Sequence, residues 1–301
     1  MSNILIIKLG SLGDVVQISG ALKDIRNFHK NDKIYILTTS KFINLFKACP
    51  YIDECIKDEN KPRFNFFYLL NLKRNIKKYN FKKVYDLQNS NRTIFYRKYL
   101  FNIKDWSSAR DLGYKESSVL KGIEAQLKKS GVPTQHSLNP DFTWAAEVSQ
   151  DFQFIPQKKF ILFFPFSSKK LTHKRWPYFY DLVNLIKKFH SEFELVLAPS
   201  NEEIKDAQKY NVTLALDHGK ALNFFQLATL IKKSNLVIAN DTGPAHMAAH
   251  LGAKGFVLFG SHTTPEKVSI ERKKFIALQV EDLKKLTADR IYALVKSSIT
   301  S

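Results

Sequence analysis

The sequence IIKLGSLGDVVQISGALKDI, residues Ile6–Ile25, joins an apolar strand to a helical pattern through a glycine-containing turn. Gly10 and Gly13 have no Cβ atom, so a ligand can approach the backbone closely at the end of the strand. The turn has the spacing of neither a P-loop nor a dinucleotide-binding fingerprint. Asp14 stands at the start of the helix, where it can act as an N-terminal cap or as a chemical group. The stretch predicts one strand–turn–helix unit of a parallel sheet, with a ligand site at the sheet edge.

Apolar runs alternate with helical patterns along the rest of the chain, which is typical of βαβ units around a parallel sheet. We expect an α/β protein with two halves of similar size and a ligand-binding cleft between them. The predicted strands lie at residues 3–9, 33–39, 52–57, 82–88, 159–166, 193–200, 235–240 and 255–260. The predicted helices lie at residues 15–29, 42–49, 65–79, 178–190, from near 201 onward, 224–233, 244–251 and 281–298.

The stretch from Gly131 to Gln157 contains three prolines and has no clear period, so we place a linker there. It separates a first domain, residues 1–150, from a second domain, residues 151–281. An amphipathic helix fills the C-terminal segment, residues 282–301. The residues after Lys267 are expected to run directly into this helix.

Positive charge is in large excess: 47 Lys and Arg residues face 28 Asp and Glu residues, for a net charge of +19. Between Lys61 and Arg110 only Asp86 and Asp105 are acidic. Such a balance indicates an anionic partner, and nucleic acid, anionic lipid and phosphorylated small molecules all stay open. A lysine-rich composition without a partner would look the same. The chain lacks the spacing of helix-turn-helix, RRM and zinc-finger motifs, which argues against nucleic acid.

The sequence indicates a cytoplasmic protein. No apolar run approaches the ~20 residues that span a bilayer, and the N-terminal residues lack a signal-peptide core. Cys49 and Cys55 are too few for a disulfide framework, so both are expected to be reduced thiols.

A second informative stretch, NLVIANDTGPAHMAAHLGAKG, covers Asn235–Gly255. A buried strand ends at Asn240, Asp241 or Thr242 can cap the helix that follows, and Gly243 lets a ligand approach the backbone. The free N–H groups and the dipole of such a helix start favour a phosphate oxygen, and His246 lies one turn inside. A capped helix without a ligand is the alternative. His246 and His250 have zinc-ligand spacing, but Met247 occupies the place of the metalloprotease glutamate, so we predict no metal site.

A third stretch, PFSSKKLTHKRWPYFY, covers Pro165–Tyr180 and follows another predicted strand. Ser167 and Ser168 supply hydroxyl groups, and Lys174 is one of several cations just before a helix. A loop of this composition at the end of a strand suits an anionic group. A solvated basic loop is the alternative.

Together these stretches resemble glycosyltransferase family 9, the lipopolysaccharide heptosyltransferases. The order and spacing of the matching motifs agree over nearly the whole chain, which is more specific than any single motif. The matches are Lys8, Ser11, Gly13 and Asp14 with the family's S-x-G-D turn, Tyr85–Arg92 with D-L-Q-x-S-x-R, Lys174–Pro177 with K-x-W-P, Asp241–His246 with D-T-G-x-x-H, and LFGSHTTPEK with LFG-x-T-x-P-E.

The resemblance implies a GT-B fold, in which two Rossmann-like domains have parallel sheets facing across a central cleft and the last helix packs back toward the first domain. It implies an inverting, metal-independent transfer of heptose from ADP-heptose to an inner-core lipopolysaccharide acceptor. The nucleotide-sugar is a substrate, and no cofactor is implied. Asp14 corresponds to the general base, which takes the proton of the acceptor hydroxyl.

The resemblance also assigns binding residues. The donor-binding residues would be Ser11, Gly13, Ser167, Ser168, Lys174, Glu203, Leu222, Asp241, Thr242, Gly243 and His246, with Glu202 as the alternative to Glu203 at the ribose. The acceptor-side residues would be Lys8 and Arg92. The implied partners are the donor and an anionic glycolipid, with a peripheral contact to the anionic inner leaflet of the membrane and no nucleic acid.

The chain departs from the family pattern at two places. Gly10 stands where many members have Ser, and the Gly-rich loop that usually follows the TTPEK segment is missing or shortened. A related GT-B enzyme with another nucleotide-sugar is therefore the main alternative. A basic nucleic-acid-binding protein and a sugar-nucleotide-binding scaffold without activity are the alternatives from other classes.

Overall fold

The computed structural model describes residues 1–148 and 154–300, which form two compact units, Met1–Asp141 and Phe142–Ser301. Each unit is built around a parallel sheet, so the predicted α/β class is confirmed. The predicted boundary between residues 150 and 151 lies outside the described residues. The return of the last helix toward the first domain stays a prediction.

The first unit contains a five-stranded sheet in the order β3-β2-β1-β4-β5, and all its neighbouring strands are parallel. The strands are β1 (Asn3–Ile7), β2 (Lys33–Thr39), β3 (Glu54–Asp58), β4 (Lys83–Asp86) and β5 (Asp105–Ser108). The helices are α1 (Leu12–Gln17), α2 (Ser19–Phe28), α3 (Ile43–Lys47), α4 (Phe66–Lys77), α5 (Asn91–Phe95), which continues into a π-helical turn (Tyr96–Leu100), and α6 (Val119–Lys129).

The second unit contains a six-stranded parallel sheet in the order β13-β12-β11-β6-β7-β8 and a small hairpin, β9–β10. The strands are β6 (Phe160–Phe164), β7 (Glu194–Leu197), β8 (Thr213–Leu214), β9 (Leu216–Asp217), β10 (Lys220–Ala221), β11 (Leu236–Asn240), β12 (Gly255–Phe259) and β13 (Phe275–Gln279). The helices are α7 (Trp144–Glu147), α8 (Phe179–Phe189), α9 (Ile204–Ala207), α10 (Phe224–Lys233), α11 (Gly243–His250), α12 (Pro265–Val268) and α13 (Ala288–Thr300).

Continuous apolar runs form the central strands because both faces of these sheets are covered. All residues of β6, β11 and β12 are buried. In the second unit, side chains of α8 and α13 pack on this sheet, including Val183 and Ile291. In the first unit, Leu69, Leu72 and Ile76 of α4 pack against β1–β4. Buried strands hold the loops at their carboxyl ends in fixed positions.

Several elements differ from the sequence-based predictions. The helix predicted from residue 15 to 29 is two helices that meet at Ile18, whose N–H bonds to Val16 O. The segment expected to lead directly into the last helix contains β13, which pairs with β12. The last helix begins at Ala288, because Leu283–Lys285 forms a separate 3-10 turn and Leu286 is extended. The helix predicted near Asn201 begins at Ile204.

A buried aspartate attaches the segment after α6 to α2. Asp24 is 1% exposed, and its carboxylate accepts hydrogen bonds from the backbone N–H groups of Gln135, His136 and Ser137 and from the Ser137 hydroxyl. A Cβ atom on Gly20, one turn earlier, would lie 2.1 Å from His136 O. The close approach of backbone to helix therefore requires glycine at position 20.

We expect Asp24→Ala to lower the free energy of unfolding by about 3 kcal/mol, because three backbone N–H groups and the buried Ser137 hydroxyl would lose a charged acceptor. Urea unfolding measures the change. Asp289→Ala, which removes an exposed aspartate from the first turn of α13, is the matched control and should change the free energy by less than about 1 kcal/mol. Equal effects of the two substitutions would contradict a structural role for Asp24.

Candidate active site

A buried carboxylate lies at the carboxyl end of β11. The Asp241 carboxylate accepts a 2.6 Å hydrogen bond from Lys174 Nζ and lies 3.0 Å from His262 Nε2 and 3.7 Å from His246 Nε2. Burial by itself raises the pKa of Asp241, but the His246 ring, the Lys174 ammonium and the His262 ring outweigh burial and hold that pKa well below its usual range. Asp241 is therefore a permanent anion that fixes a cation and two imidazoles beside it.

Asn240, the last residue of β11, fixes the loop that carries Lys174. Its side-chain amide donates to Pro165 O at 2.7 Å, and its Oδ1 accepts from Trp176 N at 3.0 Å. Trp176 is buried, and its indole N–H donates to Leu286 O at 2.7 Å. The loop after β6 is thus held at both ends, and Lys174 reaches Asp241 from a rigid support.

The start of α11 combines backbone donors with a buried imidazole. Thr242 is the N-cap residue, Gly243 is the first helical residue, and both are partly exposed. His246 lies one turn inside the helix and is 8% exposed. Its Nδ1 is buried without a hydrogen-bond partner among the described residues. Free N–H groups at a helix start, with a lysine nearby, suit an anionic oxygen such as that of a phosphate.

The other predicted donor residues contribute in different ways. Ser167 is buried, and its hydroxyl donates to Leu171 O at 2.8 Å, whereas Ser168 is exposed. The Glu203 carboxylate accepts from Ser200 N at 2.9 Å and so stabilises the turn after β7. Leu222 is partly buried. In the second unit, the structure therefore brings Lys174, Asp241 and His246 into direct contact and commits the Ser167 hydroxyl to its own loop.

In the first unit, Asp14 lies in the first turn of α1. Its Oδ2 accepts hydrogen bonds from Ser11 N at 2.9 Å and Ser11 Oγ at 3.2 Å, and its side chain is partly exposed. Gly10 has a φ of +138°, which L side chains rarely adopt, so this turn requires glycine. The departure from the family pattern at position 10 thus has a conformational reason.

Lys8 lies beneath this turn. It is 5% exposed, and Nζ donates to Leu87 O at 3.0 Å. Burial lowers the pKa of Lys8, while the negative charges of Asp14 and Asp86 oppose that shift. Burial likewise raises the pKa of Asp86, against hydrogen bonds from Thr93 and the backbone. Lys8 thus places a covered amino group close to the carboxylates of Asp14 and Asp86.

Arg92 belongs to a cluster around a fully buried carboxylate, Asp58. The Arg92 guanidinium donates to the Tyr96 hydroxyl, to the Tyr68 hydroxyl at 3.0 Å and to Lys61 O at 2.9 Å. It lies 3.6 Å from Asp58, which also accepts from both tyrosine hydroxyls. Burial and the Asp58 charge raise the pKa of Tyr96. The described donors of Arg92 thus serve the packing of β3 against α4 and α5.

Sequence reasoning missed His262 and Asn240 as parts of the second-unit site. His262 stands in the quoted LFGSHTTPEK segment, but its contact with Asp241 depends on β11 and β12 being neighbours. Within residues 1–148 and 154–300, no group of three or more His, Cys, Asp and Glu side chains is placed to hold a metal ion. No helix in this part of the chain is both long and apolar enough to cross a membrane.

The fold of this chain matches that of glycosyltransferases of known structure. The structure resembles a family 9 glycosyltransferase of Veillonella parvula, with a TM-score of 0.78, 17% identity and coverage of 99% of this chain and 97% of that chain. It also resembles E. coli heptosyltransferase WaaC with ADP, with a TM-score of 0.77, 17% identity and coverage of 98% and 99%. These likenesses show the GT-B fold.

The sequence comparisons agree. The family model for glycosyltransferase family 9 (heptosyltransferase) matches residues 69–292. Lipopolysaccharide heptosyltransferase 1 of Campylobacter coli is 25% identical over 289 residues, which cover 86% of this chain and 84% of that protein. The chain belongs to glycosyltransferase family 9. It is a glycosyltransferase, as predicted from the sequence.

We expect Lys174→Met to lower the free energy of unfolding at pH 7 by about 3 kcal/mol, because Asp241 would keep a buried charge with one donor fewer. A carboxylate whose pKa is lowered by folding contributes stability above its unfolded pKa and loses it as the pH falls through the folded pKa. In Lys174→Met the pKa of Asp241 rises, so protonation relieves the buried charge at a higher pH than in the wild type.

Urea unfolding between pH 7 and pH 2 measures this difference, which we expect to narrow below about pH 4, where the Asp241 carboxyl of the variant begins to be protonated. Lys174→Arg keeps a cation beside Asp241, and Lys170→Met removes an exposed one, so both are controls with small effects. If the free energy of unfolding of Lys174→Met differs from that of the wild type by the same amount over this whole pH range, the pairing of Lys174 with Asp241 is contradicted.

Proposed function

We propose that this chain is an inverting, metal-independent heptosyltransferase that moves heptose from ADP-heptose to an inner-core lipopolysaccharide acceptor. Family membership and the named relative from Campylobacter coli support the reaction class. The observation that carries the proposal is the Lys174–Asp241–His246 contact beside the start of α11. It provides a cation and backbone donors at one place, which is what a diphosphate leaving group needs.

In the proposed reaction the acceptor hydroxyl oxygen attacks the anomeric carbon of the donor. Its proton passes to the Asp14 carboxylate, which is the general base. The bond between the anomeric carbon and the ADP oxygen breaks, and ADP leaves with the bonding electrons. One displacement of this kind inverts the configuration at the anomeric carbon.

The residues of the second unit stabilise the leaving group. Lys174 and the N–H groups at Thr242 and Gly243 face the charge that develops on the diphosphate, and the hydrogen bond to Asp241 holds Lys174 in place. Glu203 and Leu222 are assigned to the nucleoside, with Ser167 and Ser168 in the adjoining loop. Ser11 and Gly13 contribute at the turn that carries Asp14.

The acceptor is assigned to the first unit, with Lys8 and Arg92 as the predicted acceptor-side residues. Lys8 is buried and Arg92 is partly buried, which supports an indirect role for both residues. Lys8 would supply a positive charge near Asp14, and Arg92 would fix the local surface. We place the enzyme in the cytoplasm, in peripheral contact with the inner leaflet, where a lipid-anchored acceptor would be reached.

We expect Asp14→Asn to reduce kcat by about 10²- to 10⁴-fold, because the amide cannot accept the hydroxyl proton. Dissociation of ADP, measured by calorimetry, should be unchanged. Asp32→Asn, at a partly exposed aspartate that pairs with His29 in the same unit, is the control and should keep full turnover. Undiminished turnover in Asp14→Asn would remove Asp14 from the reaction.

Titration of the purified protein with ADP, UDP and GDP in the presence of EDTA tests the donor assignment. We expect binding that selects ADP, survives chelation and is weakened about tenfold or more in Lys174→Ala, because a charge-assisted contact to phosphate is lost. Lys170→Ala, at an exposed lysine of the same loop, should bind ADP as the wild type does. Selectivity for UDP or GDP would retain the fold and overturn ADP-heptose as the donor.

A further inference from the structure

The three most exposed aromatic side chains among the described residues lie within four positions of one another. Phe64, Phe66 and Phe67 are 79%, 72% and 85% exposed, and Leu70 follows at 49%. We call these four residues the α4 patch. A contiguous exposed apolar patch of this kind usually marks an interaction surface.

The fold holds the α4 patch away from the core. Leu69, Leu72 and Ile76 of α4 are buried against the sheet. Helical spacing puts Phe67 and Leu70 on the opposite face, and the exposed Phe66 lies at the edge between the two faces. The first turn of α4 is fixed, because Asn65 Oδ1 accepts from Tyr68 N at 3.0 Å. A helix that is apolar on two opposite faces needs a second apolar environment.

The surface around the patch is rich in positive charge, and one exposed carboxylate, Glu59, pairs with Lys61 at 2.6 Å. No acidic residue occurs between Lys61 and Tyr85. The exposed cations of this stretch are Lys61, Arg63, Lys73, Arg74, Lys77, Lys78 and Lys82. Arg74 and Lys77 continue the stripe of Leu70 by one and two turns, and Arg63 lies over the Phe95 ring at 5.8 Å.

The aromatic surface extends to the neighbouring helix. Ile94 of α5 and Tyr99 of the π-helical turn are 39% and 62% exposed, and the Tyr99 ring lies 5.4 Å from the Phe95 ring. Aromatic side chains with cations beside them are the composition found where proteins enter the headgroup region of a bilayer.

We infer that the α4 patch inserts into the headgroup region of an anionic lipid bilayer, with the lysines and arginines of α4 against the lipid phosphates. Charge selects this occupant, because anionic lipids attract each of these cations. A second copy of the chain would bring two like-charged surfaces together, which opposes association. The inference rests on the proposed function only in one respect: membrane binding would bring the enzyme to a lipid-anchored acceptor.

Vesicle co-sedimentation tests the inference without donor or acceptor. We expect the full chain to bind vesicles of phosphatidylcholine with phosphatidylglycerol, to bind pure phosphatidylcholine weakly, and to be released by high salt. Phe66→Ser combined with Phe67→Ser should reduce the partition coefficient about tenfold or more. Lys73→Glu combined with Arg74→Glu should reduce it at least as much and should weaken its salt dependence.

The controls separate this surface from general stickiness and from catalysis. Phe189→Ser removes an exposed aromatic side chain that stands beside Lys187 and Lys188 on α8, and it should bind vesicles as the wild type does. All variants should keep the wild-type melting temperature and ADP affinity, since the changed side chains are exposed. If the wild-type protein does not bind ADP, the proposed function is contradicted, but the conclusion drawn from vesicle binding is unaffected.

Three outcomes would overturn the inference. If the Phe66→Ser, Phe67→Ser variant binds vesicles as tightly as the wild type, the α4 patch is not the surface that contacts the bilayer. If the protein binds neutral and anionic vesicles equally, the cations of α4 do not select an anionic lipid surface. A wild-type dimer in solution that the same double substitution converts to monomer, without vesicle binding by either, would assign the patch to a second copy of the chain.

Discussion

Removing the Asp241 carboxylate from water is the constraint on which the second unit's site depends. A buried carboxylate is costly unless cations and hydrogen-bond donors replace its hydration. Lys174, His246 and His262 do so, and they come from the loop after β6, from α11 and from the loop after β12. Because these elements meet only where β6, β11 and β12 are neighbours, the charge requirement and the sheet order support each other.

The first unit also has buried carboxylates at the carboxyl ends of its parallel strands. Asp86 ends β4 and is opposite Ile7 of β1, so Lys8 and Asp86 are brought together by the parallel register. Asp58 ends β3 and is covered by Arg92 and two tyrosines. In both units the carboxyl ends of parallel strands collect buried charges, because the loops there can supply counter-charges that the strand interiors cannot.

The sequence predicted the elements whose signal is local. The strand Lys33–Thr39 and the helix Phe224–Lys233 have the predicted limits. An apolar run and a capped amphipathic helix can each be recognised from their own residues alone. The strand Asp105–Ser108 was not predicted, since DWSS has little apolar character and pairs only because β4 lies beside it. The motif containing Asp241 was likewise visible in the sequence, because its signal is local. The contact of Asp241 with His262 was not, because it depends on β11 and β12 being neighbours. The burial of Lys8 and the partial burial of Arg92, both expected to serve the acceptor, also depend on tertiary packing.

The net charge of +19 combines two populations of cations with different consequences. Lys8, Lys174 and Arg92 are buried or largely covered, and the attraction of buried carboxylates accounts for them. Solvent screens such short, covered contacts little, so they set local geometry and contribute little to the field outside the protein. The lysines and arginines of α4 are exposed and have no acidic neighbour along the chain, so they generate the external field instead. Only this second population can select an anionic surface, and it stands beside the most exposed aromatic residues in the part of the chain that the structure describes.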